Sequence, residues 1–101
     1  MDADDRTLLS ARPRIPEHVV ERSFGDESVA LNLQSAQYHG LNGVAARMVE
    51  QLRRANTVGD AVDPLAEAFG QPREVIERDL LGLVRDLSER GLVELDAGDG
   101  A

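Results

Sequence analysis

Few residues of this chain combine a reactive side chain with the spacing that catalysis needs. Its 101 residues include no cysteine and only two histidines, His18 and His39. The lack of cysteine excludes disulfides, thiolate metal sites and a thiol nucleophile. The chain has no glycine-rich phosphate loop, no ordered Ser, His and Asp set, and no pair of acids inside an apolar stripe where burial would shift their pKa values. The sequence therefore favours a protein that is not an enzyme, with no cofactor and no metal.

The overall charge narrows the range of partners. Eleven basic residues face nineteen acidic ones, for a formal net charge of −8. Such a field repels polyanions, so nucleic acid is not expected as a partner. No long apolar run and no basic-then-apolar N-terminus is present, which predicts a cytoplasmic chain with no membrane contact. A chain of this length fits one compact domain.

Residues 19–41 have the period of β-strands. Val19–Phe24 and Ser28–Leu33 alternate in polarity and are separated by turn residues at 25–27. Val29, Leu31 and Leu33 share one face of the second strand. A break at 34–36 precedes a short third strand, 37–41. Short turns favour the spatial order 1-2-3, which leaves the third strand at an edge with unpaired backbone groups.

Three helices are predicted after Asn42. Asn42 is a good N-cap for the first, 43–54. The second opens at Thr57, is kinked or split by Pro64 and closes at Gly70. The third, 72–90, is the clearest amphipathic segment. This order predicts an α+β fold, winged helix-turn-helix-like, with a three-stranded antiparallel sheet followed by three helices.

A winged-helix DNA-binding regulator is one alternative that the fold class leaves open. Its third helix would enter the major groove and would need a basic exposed face. Residues 72–90 hold four arginines and five acids, a net charge of −1. This composition argues against DNA binding. A dimerisation module, in which the third strand pairs with its own copy, is another alternative, and we expect a monomer or weak dimer.

Several segments carry a resemblance to a known family. They are residues 38–42 (Tyr-His-Gly-Leu-Asn), 43–47 (Gly-Val-Ala-Ala-Arg), Thr57, 75–81 (Val-Ile-Glu-Arg-Asp-Leu-Leu) and 87–93 (Leu-Ser-Glu-Arg-Gly-Leu-Val). Over Val19 to Leu95 the chain resembles the PqqD-like family. The resemblance implies a non-catalytic recognition element that binds the leader segment of a ribosomally made precursor peptide. Its partners would be that precursor and a modifying enzyme or leader peptidase of the same pathway.

The resemblance also implies a binding mode. The leader segment would add a strand to the third strand and dock against the third helix. The implied peptide-binding residues are Gln37, Tyr38, His39, Gly40, Val75, Arg78, Asp79, Gly82 and Arg85. The Leu41-Asn42 junction looks more like stand-alone members of lasso-peptide pathways, and an adaptor in pyrroloquinoline quinone biosynthesis is the second choice.

Some of these residues also have a purely structural interpretation. Tyr38 fits either a core position or the groove. The charges of the third helix fit a solvated face as well as a peptide contact. The predicted domain organisation is a flexible N-terminal arm at 1–16, a PqqD-like peptide-binding domain at 17–95 and a flexible tail at 96–101.

Overall fold

The computed structural model describes residues 3–96 of the chain. Its elements, in chain order, are α1 (Ala3–Ser10), β1 (Arg12–Arg14), β2 (Val19–Phe24), β3 (Glu27–Asn32), β4 (Tyr38–Leu41), α2 (Gly43–Arg54), a single 3-10 turn (Gly59–Ala61), α3 (Val62–Phe69), α4 (Arg73–Glu89) and β5 (Glu94–Asp96). The predicted α+β architecture, three antiparallel strands followed by helices, is confirmed.

The three-stranded sheet has the order β2-β3-β4. A two-residue turn joins β2 to β3, and Gly25 takes the positive φ of 64° that this turn needs. Each strand begins and ends within one residue of its predicted bounds. In the described part of the chain, β4 pairs only with β3, so the expectation that the third strand lies at an edge is confirmed. β2 forms the opposite edge.

The N-terminal residues differ from the flexible arm that the sequence predicted. They form α1 and β1, and β1 pairs antiparallel with β5 to make a second, two-stranded sheet. Leu8 and Leu9 pack on the hydrophobic core, and Val58 N donates to Ala11 O at 2.9 Å. α1 spans only eight residues with one adjacent leucine pair, too short for a helical period to show in the sequence. Of the predicted tail, Asp96 belongs to β5 and 97–101 lie outside the described residues.

The capping residues predicted from the sequence lie at the ends of α2 and α3. α2 has the predicted bounds, and Asn42 Oδ1 accepts from Ala45 N at 2.9 Å as its N-cap. The predicted second helix is split into the 3-10 turn and α3, but the break lies between Ala61 and Val62 and not at Pro64. Pro64 falls in the first turn of α3, where a backbone N–H has no partner inside the helix, so the proline does not break it. Gly70, with φ 62°, ends α3 in the left-handed conformation.

The core lies between the sheet, α2 and α4. Buried apolar residues of α4 form its centre: Ile76, Leu80, Leu81, Val84 and Leu87. Leu92 and Val93, just after α4, turn back into the core against Val19, Ala30 and Leu41 of the sheet. Leu87 brings the C-terminal end of α4 against the sheet, near β4, whereas the earlier buried residues of α4 pack in a cluster with α2 and α3.

The face of β3 that packs on the helices carries the small and polar residues. Ser28, Ala30 and Asn32 are buried there, whereas Val29 and Leu31 point to the other face and are half-buried. Small side chains on the inner face let Leu92 and Val93 approach the sheet closely. The larger apolar side chains of the sheet are thereby left on its outer face.

Candidate functional site

The outer edge of β4 presents free backbone groups at two specific residues. Asn32 N donates to Gln37 O at 2.8 Å, a bond that brackets the Leu31–Tyr38 pair of the β3–β4 ladder. Hydrogen-bonded and non-hydrogen-bonded pairs alternate along antiparallel strands, so Ala30 and His39 form a hydrogen-bonded pair and Val29 and Gly40 do not. The N–H and C=O groups of Tyr38 and Gly40 therefore point away from β3, toward the open edge.

The side chains of β4 alternate between the two faces of the sheet. Tyr38 is 66% exposed on the outer face, beside Leu31, and lies neither in the core nor toward α4. His39 is half-buried on the inner face, where Arg90 Nε donates to its Nδ1 at 3.4 Å. Residues 36–40 and Arg90 together line an open depression, here called the edge hollow. It joins the C-terminal end of α4 to the edge strand.

Asn32 holds the turn before β4 against the end of α4, a role that the sequence analysis did not identify. Its Oδ1 accepts from Gln34 N at 2.9 Å and from Ser35 N at 3.1 Å. Its Nδ2 donates to Gly91 O at 3.0 Å. The available signal in the sequence was an Asn just before the break at 34–36, but its partner Gly91 is 59 residues away and could not be inferred from the sequence.

The α4 residues that the family resemblance implied as peptide contacts lie in two rows along the helix. Val75, Asp79 and Gly82 are spaced by four and three residues, which puts them in one row that continues through Asp86 to Arg90. This row faces the β4 side of the helix. Arg78 and Arg85 lie in the adjacent row, which faces α1.

The first row borders a second depression, here called the helix hollow. It has a volume of about 420 Å³. Its lining consists of Val44, Met48, Phe69, Gln71, Val75, Ile76 and Asp79. Val44, at the start of α2, is 49% exposed there, and Arg47 lies over the Phe69 ring at 5.4 Å from its centroid. The hollow is thus apolar with one carboxylate at its rim, directly beyond the end of β4.

The second row of α4 faces α1. Arg85 forms an ion pair with Asp5 of α1. Arg78, Leu81, Glu74 and Glu77 line a depression between the same two helices. The structure therefore places Arg85 on the α1 side, apart from Asp79. Arg78 also lines the depression against α1, but its side chain is 77% exposed and its Nε lies 3.6 Å from Asp79 Oδ1.

The described residues hold no concentration of reactive groups. No set of three His, Asp or Glu residues within 3–96 could hold a metal ion. No helix among these residues is long and apolar enough to cross a membrane. Near β4, the features open to a ligand are the free strand edge, the edge hollow beside it and the helix hollow beyond its end.

Fold and surface together define a class of protein. It is a small winged-helix-like domain with an edge strand whose outer side is open, beside a helix. The family model "Coenzyme PQQ synthesis protein D (PqqD)" matches residues 27–93, from β3 to the end of α4 and just beyond. The chain belongs to the PqqD family. The matched region contains β4, both hollows and Asn32.

Two curated relatives carry the same description. The chain is 25% identical over 84 residues to "PqqA binding protein" of Bradyrhizobium diazoefficiens, covering 83% of this chain and 82% of the relative. It is 34% identical over 53 residues to "PqqA binding protein" of Gluconobacter oxydans, covering 52% of this chain and 55% of that relative.

Two solved structures share the fold. One is "TbiB1 in Complex with the TbiA(beta) Leader Peptide", with a TM-score of 0.70 and 32% identity over 80% of this chain and 94% of that one. The other is "Lasso peptide synthetase B1 complexed with the leader peptide", with a TM-score of 0.72 and 27% identity over 83% of this chain and 99% of that one. Both of these structures are complexes with a leader peptide.

Proposed function

We propose that this chain recognises the leader segment of a ribosomally made precursor peptide and presents it to an enzyme, without catalysing a reaction itself. The observation that carries this proposal is the open edge of β4, with the backbone groups of Tyr38 and Gly40 directed outward. Membership of the PqqD family and the two leader-peptide complexes among similar structures support it.

Strand addition explains how such an edge would hold an extended peptide. The peptide backbone pairs with the N–H and C=O groups of Tyr38 and Gly40 and satisfies all four. Side chains that point inward meet the edge hollow, with His39 and Arg90. Continuing past Leu41, the peptide reaches the helix hollow, where Val44 and Val75 accept an apolar side chain and Asp79 favours a basic one.

The peptide-binding set follows from this path. The residues nearest the peptide are Gln37, Tyr38, His39 and Gly40 of the edge and Val75, Asp79 and Gly82 of α4. Arg85 remains outside it, paired with Asp5 on the α1 side, and Arg78 lies at its boundary, beside Asp79. A segment this short buries less than a standard interface, so the dissociation constant should be about micromolar.

The receiving partner would be a modifying enzyme or a leader peptidase. Similarity to a lasso peptide synthetase B1 structure supports a lasso-type pathway. The PqqA-binding relatives support the alternative, a pyrroloquinoline quinone pathway. The two alternatives differ in the precursor that is bound.

Proline substitutions at the two sheet edges test the proposal. The probe is a fluorescein-labelled synthetic leader from the precursor gene beside the gene for this chain. Tyr38→Pro removes an outward N–H, which an edge strand tolerates, so the fold is kept while peptide anisotropy is lost. Ser23→Pro is the matched control, because alternation along β2 directs its N–H to the opposite open edge.

The expected result is wild-type affinity for Ser23→Pro and at least about tenfold weaker binding for Tyr38→Pro, from the lost backbone pairing. Circular dichroism establishes that both variants are folded. Equal binding by wild type and Tyr38→Pro would overturn the strand-addition model.

A further inference from the structure

Gly40 leaves a gap on the outer face of the sheet. The row at Tyr38 is continuous through Leu31 to Val20. The next row contains Gly40, Val29 and Arg22, with Val29 in the middle, and a Cβ built on Gly40 would meet no atom within 4 Å. Gly40 does not take a positive φ, unlike Gly25, so the backbone conformation does not require glycine.

A glycine in a strand that needs no special φ often marks the close approach of a ligand. It weakens the strand by itself, since it has no side chain to pack and loses more entropy on folding. At Gly40 the missing side chain leaves one side of Val29 uncovered at the open edge. Something bound at that edge can supply the missing contact.

The direction of the free backbone groups indicates which part of a bound peptide would make the contact with Val29 that is missing at Gly40. The N–H and C=O of Gly40 point outward, so one residue of an added strand pairs directly with Gly40. Side chains of directly paired residues lie on the same face of a sheet. The side chain of that peptide residue therefore projects over Gly40, against Val29 and beside Tyr38.

We infer that Gly40 is a specificity position that selects an aromatic or large aliphatic residue in the bound peptide, at the position paired with Gly40. The inference rests on the proposed function. An aromatic ring across from an edge glycine covers the exposed glycine backbone and gains contact with the flanking strand. A small or charged residue at that position leaves Val29 uncovered.

Selection from a library tests the inference without knowledge of the natural peptide. A phage-displayed library of short random peptides is selected on the full chain, on Gly40→Val and on Arg22→Val. Gly40→Val fills the gap in open space with a residue that strands favour, so the variant folds and keeps its backbone groups. Arg22→Val is the matched control: it adds the same side chain on the other side of Val29, at the opposite edge.

Wild type and Arg22→Val should select peptides with Phe, Tyr, Trp or Leu at one shared position, and Gly40→Val should not. For a selected peptide, changing that residue to Ala should weaken binding to wild type about tenfold and to Gly40→Val less than about twofold. An equal loss for both proteins, or selection with no shared apolar position, would overturn the inference and leave strand addition intact. Failure of wild type to select any peptide would instead contradict the proposed function.

Discussion

At the scale of single residues, neighbours in sequence belong to different surfaces. Arg78 and Asp79 touch at 3.6 Å, yet Asp79 borders the helix hollow and Arg78 lines the depression against α1. One residue step turns a helix by about 100 degrees, which is enough to separate a candidate peptide contact from a residue on the α1 side. The charges of α4 therefore have to be tested one at a time.

Charge substitutions should separate these two rows. Asp79→Asn removes the carboxylate at the rim of the helix hollow and should weaken binding of a basic leader about two- to fivefold, as expected of an exposed ion pair. Arg78→Gln is the comparison and should not weaken binding of a basic leader, because it leaves the Asp79 carboxylate in place and removes only a cation beside it. Fluorescence anisotropy at low and high salt measures both, and the difference should shrink as salt rises. A loss confined to Arg78→Gln would place the peptide on the α1 side of α4.

At the scale of elements, the position of β4 depends on a turn rather than on its own four residues. Asn32 ties that turn to Gly91, at the end of α4, and the close approach is tight: a Cβ on Gly91 would lie 3.0 Å from Asn32 Nδ2. The edge strand and α4 are thus held at a defined spacing. Because of this spacing, β4 and the end of α4 together border the candidate site.

Replacing Asn32 should damage both stability and the site. Asn32 is buried and makes three hydrogen bonds. Asn32→Ala leaves backbone groups unsatisfied and should lower the free energy of unfolding by about 2–3 kcal/mol, measured by urea denaturation. Asn42→Ala, which removes only a helix cap, is the comparison and should cost about 1 kcal/mol. An equal, small cost for both would show that the turn is held by other contacts.

The N-terminal helix is the second element whose role can be measured. Leu9 packs on the core, and a Cβ on Gly59 would lie 3.0 Å from Leu9 O. Leu9→Ala should lower the free energy of unfolding by about 1–2 kcal/mol, because the side chain is only partly buried. Leu33→Ala, at a 61% exposed leucine, should cost less than about 0.5 kcal/mol. A negligible cost at Leu9 would favour the flexible arm that the sequence predicted.

At the scale of the whole molecule, the net negative charge argues against DNA binding, although the fold is winged-helix-like. The net charge of −8 opposes approach to a polyanion, and α4 has no excess of basic residues. Fold alone does not imply function, and here the charge distribution distinguishes two uses of similar architectures.

This charge predicts the outcome of a nucleic-acid assay. Random-sequence duplex DNA at physiological salt should give no mobility shift with the full chain at about 10⁻⁵ M, within the concentration range where nonspecific DNA-binding proteins do bind. A basic winged-helix protein serves as the positive control. A shift that disappears as salt rises would favour the regulator alternative.

The amino-acid sequence by itself determined the order of the elements from β2 to α4 and most of their ends, but not α1 and β1. Strand alternation from Val19, the Asn42 cap and the Gly70 terminator are local signals, and local geometry alone makes them effective. The edge position of the third strand followed from short connections.

Tertiary structure decided which faces meet. The side chains of Val29 and Leu31 share a face by alternation, but only packing against Leu92 and Val93 decided that the small residues would be buried and the larger ones left outside. Likewise, the seven-residue spacing from Arg78 to Arg85 fixed their shared row, and only the position of α1 directed that row away from the strand edge. Contacts between residues far apart in the chain, such as Asn32 with Gly91, leave no periodic signal, and they set the spacing of the candidate site.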